Sequence, residues 1–366
     1  MMRIMGIGTA APEHDAGQAE AAELHAELSG LDRVRARVLR TLYRRSGVER
    51  RASVLLERPD GPLMQRQFFY RPVREEGDLG PSTAERMGSY EAHAPRLALQ
   101  ATTRALADAG QDPAGVTHLV SVSCTGFVSP GVDIRLVEEL GLDRDVTRTQ
   151  VGFMGCHGAL NGLRVAHGYA RAEPESVVLL CAVELCSLHF AYGWDPEVMV
   201  ANALFADGAG AMVCSGGPPA AGPSGADWTV ASTGTVLLDE SGDDMTWRIG
   251  NNGFRMTLSS RVPDIIGRDL AGWLGSWLGR SGLEPDDVAT WAVHPGGPRI
   301  LDAVEGSLGL DRSRTEAARS VLRGHGNMSS ATILFILERL RRERAPLPCV
   351  ALAFGPGLVA EAALIV

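Results

Sequence analysis

A layered α/β fold built from two similar halves is what the sequence predicts. Three observations carry that expectation. Continuous apolar runs of strand length, 177–183 above all, read as strands buried on both faces. Long stretches with helical spacing, such as 156–172, alternate with these runs. The same theme then returns beyond a Gly-, Pro- and Ala-rich stretch, which divides the chain into an N-terminal half 1–215, a linker 216–227 and a C-terminal half 228–366.

In chain order, 3–9 is an apolar strand ending at Ala10-Ala11-Pro12. Helix formers fill 18–45, with charges spaced for an exposed face. The polar, Pro- and Gly-punctuated 49–80 predicts an irregular arm. A helix follows over 82–110, with Ser82 as N-cap and Pro95 expected to break or kink it. Next come a strand at 118–124 and a helix at 132–142. The helix 156–172 opens on Cys156, places Ala159, Leu160, Leu163 and Ala166 on one face, and is stopped by Pro174. Asp207-Gly208-Ala209-Gly210 reads as a tight turn before a strand at 211–214. The second half offers a strand at 228–238, a helix at 262–281, a strand at 290–293, a helix at 327–344 with Asn327 as N-cap, and strands at 350–354 and 360–366.

Composition narrows the chemistry. With 366 residues, 45% of them hydrophobic, the chain can bury a large core. A net charge of −9 argues against general nucleic-acid binding. All 35 basic residues are arginine, which excludes every lysine-dependent mechanism, Schiff-base chemistry included. No apolar run reaches the roughly 18 residues of a membrane span. The first apolar stretch, 4–11, is short and lacks a basic leader, so a cytoplasmic protein with free thiols is expected. The six cysteines form no C-x-x-C pair, so no metal site is expected.

Cys156 stands out among them. Gly152-Phe153-Met154-Gly155-Cys156-His157-Gly158 puts a cysteine at the start of an apolar helix, where free N–H groups and the helix dipole favour thiolate. A nucleophile and a buried structural thiol are both compatible with that setting. A thiolate needs an imidazole. His157 is adjacent, but helix neighbours point in different directions. His294, opening His294-Pro295-Gly296-Gly297-Pro298 after a strand, and His325, in Gly324-His325-Gly326-Asn327, occupy loops that suit a site. Asn327 can cap a helix or aim its amide at a ligand. Arg44, Arg45, Arg50 and Arg51 form a basic cluster that is either a solvated face or an anion site.

Taken together, these segments resemble the type III polyketide synthases, the chalcone-synthase-like branch of the thiolase superfamily. The likeness runs in order through Gly6-Ile7-Gly8-Thr9-Ala10-Ala11-Pro12, Gly155-Cys156, Ala203-Leu204-Phe205-Ala206-Asp207-Gly208-Ala209, Trp291-Ala292-Val293-His294-Pro295-Gly296-Gly297-Pro298, Gly324-His325-Gly326-Asn327-Met328-Ser329-Ser330-Ala331 and Ala353-Phe354-Gly355-Pro356-Gly357-Leu358. The third-class β-ketoacyl carrier-protein synthases share the Cys–His–Asn set, but the Gly-Pro-Gly loop favours the polyketide synthases.

The resemblance implies a five-layered αβαβα thiolase-like fold, a homodimer, and acyl-CoA and malonyl-CoA as substrates with no separate cofactor. It implies Cys156 as the acyl-carrying nucleophile. His294 would hold the thiolate as an ion pair, and His294 and Asn327 would together polarise a malonyl thioester. Phe205 falls at the gatekeeper position and Met256 where plant enzymes have a second gatekeeper phenylalanine. Cys186 and His189 stand where smaller threonines line the pocket. Thr125 and Ser329 belong to the same pocket, and Ser129 occupies the site of a methionine lent to the partner's cavity. Arg45 and Arg50 fall near the CoA-binding stretch. These departures loosen some walls and tighten one, which points to a pyrone, a resorcinol or another small aromatic rather than a chalcone.

Overall fold

The computed structural model describes residues 1–75, 77–217, 228–239 and 241–366. Most of the expected linker, 218–227, lies outside the described residues.

The first half contains β1 (Met2–Ala10), β2 (Asp15–Gly17), α1 (Gln18–Leu28), α2 (Arg33–Arg45), β3 (Arg50–Ala52), α3 (Leu63–Arg66) and α4 (Thr83–Ala109). It continues with β4 (His118–Ser123), α5 (Val132–Leu140), β5 (Thr147–Gly152), α6 (Gly158–Ala172), β6 (Val177–Leu185), α7 (Pro196–Leu204) and β7 (Asp207–Ser215). The second half contains β8 (Thr229–Leu237), the hairpin β9 (Met245–Gly250) and β10 (Gly253–Leu258), α8 (Val262–Gly279), β11 (Thr290–Val293) and α9 (Pro298–Leu308). It closes with α10 (Glu316–His325), α11 (Thr332–Arg342), β12 (Cys349–Gly355) and β13 (Val359–Ile365).

Nine strands form one mixed sheet in the order β11-β12-β13-β8-β1-β7-β6-β4-β5. Its halves repeat one pattern. From β1 outward the pairings run antiparallel, antiparallel, parallel, parallel. From β8 outward they run antiparallel, antiparallel, parallel. Within the sheet the halves are joined by β1 and β8, where Met2 and Arg3 pair with Val230 and Thr229 and Ile4 N–H donates to Trp228 O (2.8 Å). Five layers result. α4 packs its Ala94, Leu97, Ala98 and Ala101 on the outer face of the first half-sheet. α6 and α11 lie between the half-sheets and touch strands of both. α8 covers the second, its Trp277 lying against Gly234 of β8. This is the thiolase-like α/β arrangement.

Several local expectations change. The stretch 18–45 is two helices, separated at Gly30 (φ 59°) and restarted by Asp32, whose carboxylate accepts from the N–H groups of Val34 and Arg35. Ser82 caps α4 as expected, with Glu85 closing a capping box. Pro95 does not end that helix, because the apolar stripe around it is fully buried and compensates the one missing hydrogen bond. Asp207 to Gly210 is not a turn but the start of β7. The glycine serves close packing there: a Cβ on Gly208 would come within 2.4 Å of Met328 Sδ. Asn327 is not a helix N-cap. A 3₁₀ turn at Ser329–Ala331 separates it from α11, and it forms an isolated bridge with Phe205 instead. Strand β5, helices α7, α9 and α10, and the β9–β10 hairpin had no counterpart in the sequence reading.

Candidate active site

Cys156 is delivered by β5. After Gly152 the chain makes a strained bend, with Phe153 at φ 61° and Gly155 at φ 73°. The Phe153 ring is held against Phe127 and Phe254, with centroids 5.6 and 5.8 Å away. Any Cβ at Gly155 would lie 2.4 Å from Pro356 Cδ, so the approach of this bend to the β12–β13 turn requires glycine. Residues Gly155–His157 form one 3₁₀ turn and the α-helix proper begins at Gly158, two residues later than expected.

His294 ends β11, its N–H donating to Leu352 O at 2.7 Å. Asn327 is pinned by its backbone between α7 and β7: its N–H donates to Leu204 O (2.8 Å) and its carbonyl accepts from Ala206 N (2.9 Å). The Asn327 side-chain oxygen accepts from Ser329 N (2.8 Å), which leaves its NH₂ for the cavity. Cys156, His294 and Asn327, from three distant segments, line one small recess together with Phe205 and Met256. Cys156, Phe205 and Met256 also line a chamber of about 150 Å³, shared with Cys186, His189, Thr125 and Ser329. The second loop histidine considered, His325, packs on the Phe335 ring instead.

Burial dominates the electrostatics. It pushes the Cys156 thiol up to about 12, against hydrogen bonds from the Ser329 hydroxyl and the Asn327 side chain that pull it down. It drives the His294 imidazole down to about 3, assisted by His157. Neither His294 ring nitrogen has a hydrogen-bond partner among the described residues. An imidazole with both nitrogens uncommitted is free to take a proton or to donate to an oxygen brought in by a substrate. His157 turns away, as expected for a helix neighbour: its Nδ1 meets Asn161 Oδ1 at 2.6 Å, and Asn161 Nδ2 donates to Glu361 at 3.0 Å.

His189 does more than narrow the chamber. Its Nδ1 accepts from Phe254 N (3.0 Å), so Nε2 carries the proton and donates to Thr125 O (2.7 Å). Stacked on Phe254 at 4.3 Å, it ties the β9–β10 hairpin to the loop after β4 as a neutral brace. Burial holds its imidazole down at about 3.

Three of the expected residues do not line these two cavities. Ser129 is exposed and lines neither cavity of this chain. Arg45 is exposed at the end of α2, and Arg50 points outward into an ion pair with Asp15 (Nε to Oδ2 2.9 Å). The neighbouring Arg51 is the one that lines the chamber, donating to Phe205 O at 3.0 Å. Two residues were missed. Cys124 lines the chamber with its Sγ 3.3 Å from Ser329 Oγ. Fully buried Glu184 lies beneath, accepting from Cys124 N (3.0 Å), Thr125 Oγ1 (2.7 Å) and the Ser330 hydroxyl. A carboxylate inside an apolar strand was the available signal. Among the described residues no group of three or more His, Cys, Asp or Glu is placed to hold a metal ion, and no helix is long and apolar enough to cross a membrane.

Comparison with known proteins gives the family. Residues 1–218 match the N-terminal domain of chalcone and stilbene synthases, and residues 229–366 match the C-terminal domain. The chain is 37% identical over 369 residues to the 1,3,6,8-tetrahydroxynaphthalene synthase of Streptomyces peucetius subsp. caesius, covering 99% of this chain and 92% of that protein. It is 33% identical over 365 residues to the alpha-pyrone synthesis polyketide synthase-like Pks18 of Mycobacterium tuberculosis, covering 99% and 90%. Among solved structures, PKS-I of the brown alga Ectocarpus siliculosus superposes with a TM-score of 0.91 at 31% identity, covering 100% of this chain and 97% of that one. CsyB in complex with CoA-SH superposes with a TM-score of 0.86 at 26% identity, covering 100% and 99%. With both domain models matched in sequence order, and with cysteine, imidazole and carboxamide gathered where the two halves meet, the chain belongs to the chalcone and stilbene synthase family.

Proposed function

We propose that the protein is a type III polyketide synthase that loads an acyl-CoA starter on Cys156, extends it with malonyl-CoA and cyclises the product to a pyrone, a resorcinol or another small aromatic. The observation that carries this reading is the shared recess of Cys156, His294 and Asn327, opening into a chamber that is mostly apolar.

In the loading step Cys156 Sγ attacks the thioester carbonyl, its proton passes to His294, and CoA leaves as the thiol. Malonyl-CoA then places its thioester oxygen toward the His294 imidazole and the Asn327 NH₂. Loss of CO₂ puts the electron pair on that oxygen, and the resulting enolate carbon attacks the acyl-enzyme. A carbon–carbon bond forms, the Sγ–acyl bond breaks with Cys156 leaving as the thiolate, and the elongated β-ketoacyl-CoA reloads onto that thiolate, releasing CoA, for the next round. Asn327 suits the donor role because it does not titrate. Removing one such donor typically costs about 2.7–4 kcal/mol of transition-state stabilisation. Phe205 shapes the opening, and Arg51 holds its backbone.

The chain acts as a homodimer in a reducing cytoplasm. The exposed Phe127 and Met154, on the loops that flank Ser129 and precede Cys156, support a covering second copy, and six buried free thiols support the compartment. A single-condensation, carrier-protein-dependent synthase is the second reading, suggested by the shared triad alone. Incubating the pure protein with malonyl-CoA and an acyl-CoA panel separates them. Cyclised products of several condensations are expected, with no loading by Cys156→Ala and decarboxylation slowed about 10²-fold or more in Asn327→Ala. Turnover only with an acylated carrier protein would contradict the proposal.

A further inference from the structure

Helix α2 is a strongly basic element in an acidic chain. It carries six arginines and no acid in 13 residues, whereas the whole chain has a net charge of −9. The arrangement is regular. Arg33, Arg37, Arg40 and Arg44 recur at i, i+4, i+7 and i+11 and form one stripe along about 20 Å of helix. Val34, Val38, Thr41 and Arg45 repeat that spacing one residue on, as a ridge beside the stripe. Ala36, Leu39 and Tyr43 occupy the opposite side, buried with Ala21, Ala22 and Ala26 of α1.

The fold uses neither the valines nor most of the charge. Val34 is 75% exposed and Val38 50%, on successive turns of one helix. Trp194, 37% exposed, flanks the ridge on its other side, with the Arg35 guanidinium 5.7 Å from its ring centroid. The preceding Gly193 N–H donates to Ser29 Oγ (3.2 Å), which ties this turn to the end of α1. Elsewhere on the surface Arg148, Arg255, Arg268, Arg339 and Arg341 each meet a carboxylate within 2.8 Å. On α2 only Arg40 is paired so closely, with Glu23 (2.6 Å); Asp32, which caps the helix, lies 3.8 Å from Arg35. Arg33, Arg37, Arg44 and Arg45 have no carboxylate partner among the described residues. Of the other α1 acids, Glu20 accepts from Gly17 N (3.0 Å), which leaves Glu27.

An apolar ridge with guanidinium groups on both flanks of a straight helix is complementary to anionic headgroups lying over hydrocarbon. An acidic protein fits the face less well. Protein interfaces are registered by directional hydrogen bonds. The hydroxyl on this ridge, Thr41 Oγ1, already donates to Arg37 O (3.1 Å). The homodimer proposed above uses the surface around Phe127 and Met154, on other elements, and a surface seat needs no spanning helix.

We infer that α2 and Trp194 form a seat for an anionic lipid bilayer, with the arginines against headgroup phosphates and the Val34–Val38 ridge at the edge of the acyl layer. α2 rests on α1, whose Ala21, Leu24 and Leu28 wall the chamber, so the lipid lies one helix away from the site. The inference goes beyond the polyketide synthase reading and does not depend on it, because binding is measured without substrate.

The test is co-sedimentation of the full-length protein with vesicles of phosphatidylcholine alone and of phosphatidylcholine mixed with phosphatidylglycerol. Binding is expected to the mixed vesicles only, and to weaken as salt is raised. One arginine at an anionic surface corresponds to about fivefold in partitioning, so Arg33→Ala combined with Arg37→Ala is expected to lower it about 25-fold. Val34→Ser combined with Val38→Ser is expected to lower it about fivefold with the salt dependence unchanged. All four side chains are exposed, and an unaltered thermal unfolding curve checks that the variants fold. No binding to either vesicle, equal binding to both, or binding that survives the arginine variant would overturn the seat. An arginine variant that keeps its vesicle binding and instead raises the KM for malonyl-CoA would assign the stripe to CoA phosphates and overturn it equally. None of these outcomes touches the polyketide synthase reading.

Discussion

At the scale of single residues, charge in this site is available only as a pair. Burial disfavours thiolate on Cys156 and imidazolium on His294, each taken alone. Passing the thiol proton to the imidazole leaves the chamber neutral overall, and the two new charges attract at low dielectric. Remove the imidazole and the thiol loses its proton acceptor, while burial still holds it well above the ordinary thiol range, against the hydrogen bonds from Ser329 and Asn327. A group raised in this way is protonated throughout the neutral range, and its thiolate fraction grows about tenfold per pH unit below its pKa. In His294→Ala, alkylation of Cys156 by iodoacetamide should therefore fall at least about tenfold at pH 7 and climb steadily toward pH 10. The rate is followed by mass spectrometry of the Cys156 peptide; an unchanged rate at pH 7 would show that His294 does not activate the thiol.

Elements differ in how much of themselves they write into the sequence. Strands β1, β4, β6 and β12 were legible because both faces are buried, so the apolar run needs no knowledge of its neighbours. The β9–β10 hairpin was not, because it pairs only with itself and mixes Trp247 and Phe254 with exposed Arg248, Ile249 and Arg255. Gly208 shows the limit of turn rules: the glycine answers to Met328, more than a hundred residues away in sequence. Cys156, His294 and Asn327 were legible through their flanking motifs, but the geometry around them was not. Successive strand residues face opposite sides. The choice between Arg50 and Arg51 in β3 therefore waited on its pairing with β2, which turns Arg50 toward Asp15 and Arg51 inward. Glu184 escaped because an apolar run hides a single carboxylate whose partners, Thr125 and Ser330, come from other segments.

For the molecule as a whole, a repeated half-sheet pattern joined at the short β1–β8 contact creates the joint where the site lies. The first half contributes the Cys156 thiol on the turn before α6, and the second contributes the His294 imidazole after β11 and the Asn327 carboxamide before α11. Neither half is complete, so activity belongs to the undivided chain. Exposed Phe127 and Met154 lie beside that joint, where the proposed second copy would cover them. Sedimentation equilibrium should give twice the chain mass of 38.9 kDa, and a monomer at micromolar concentration would contradict the dimer. The central claim, that these three side chains act on one thioester, is tested most directly by intact-protein and peptide mass spectrometry after mixing with an acyl-CoA. One acyl group on the Cys156 peptide, discharged on adding malonyl-CoA and retained in Asn327→Ala, is the predicted result. An acyl group on another cysteine, or product formation by Cys156→Ala, would contradict it.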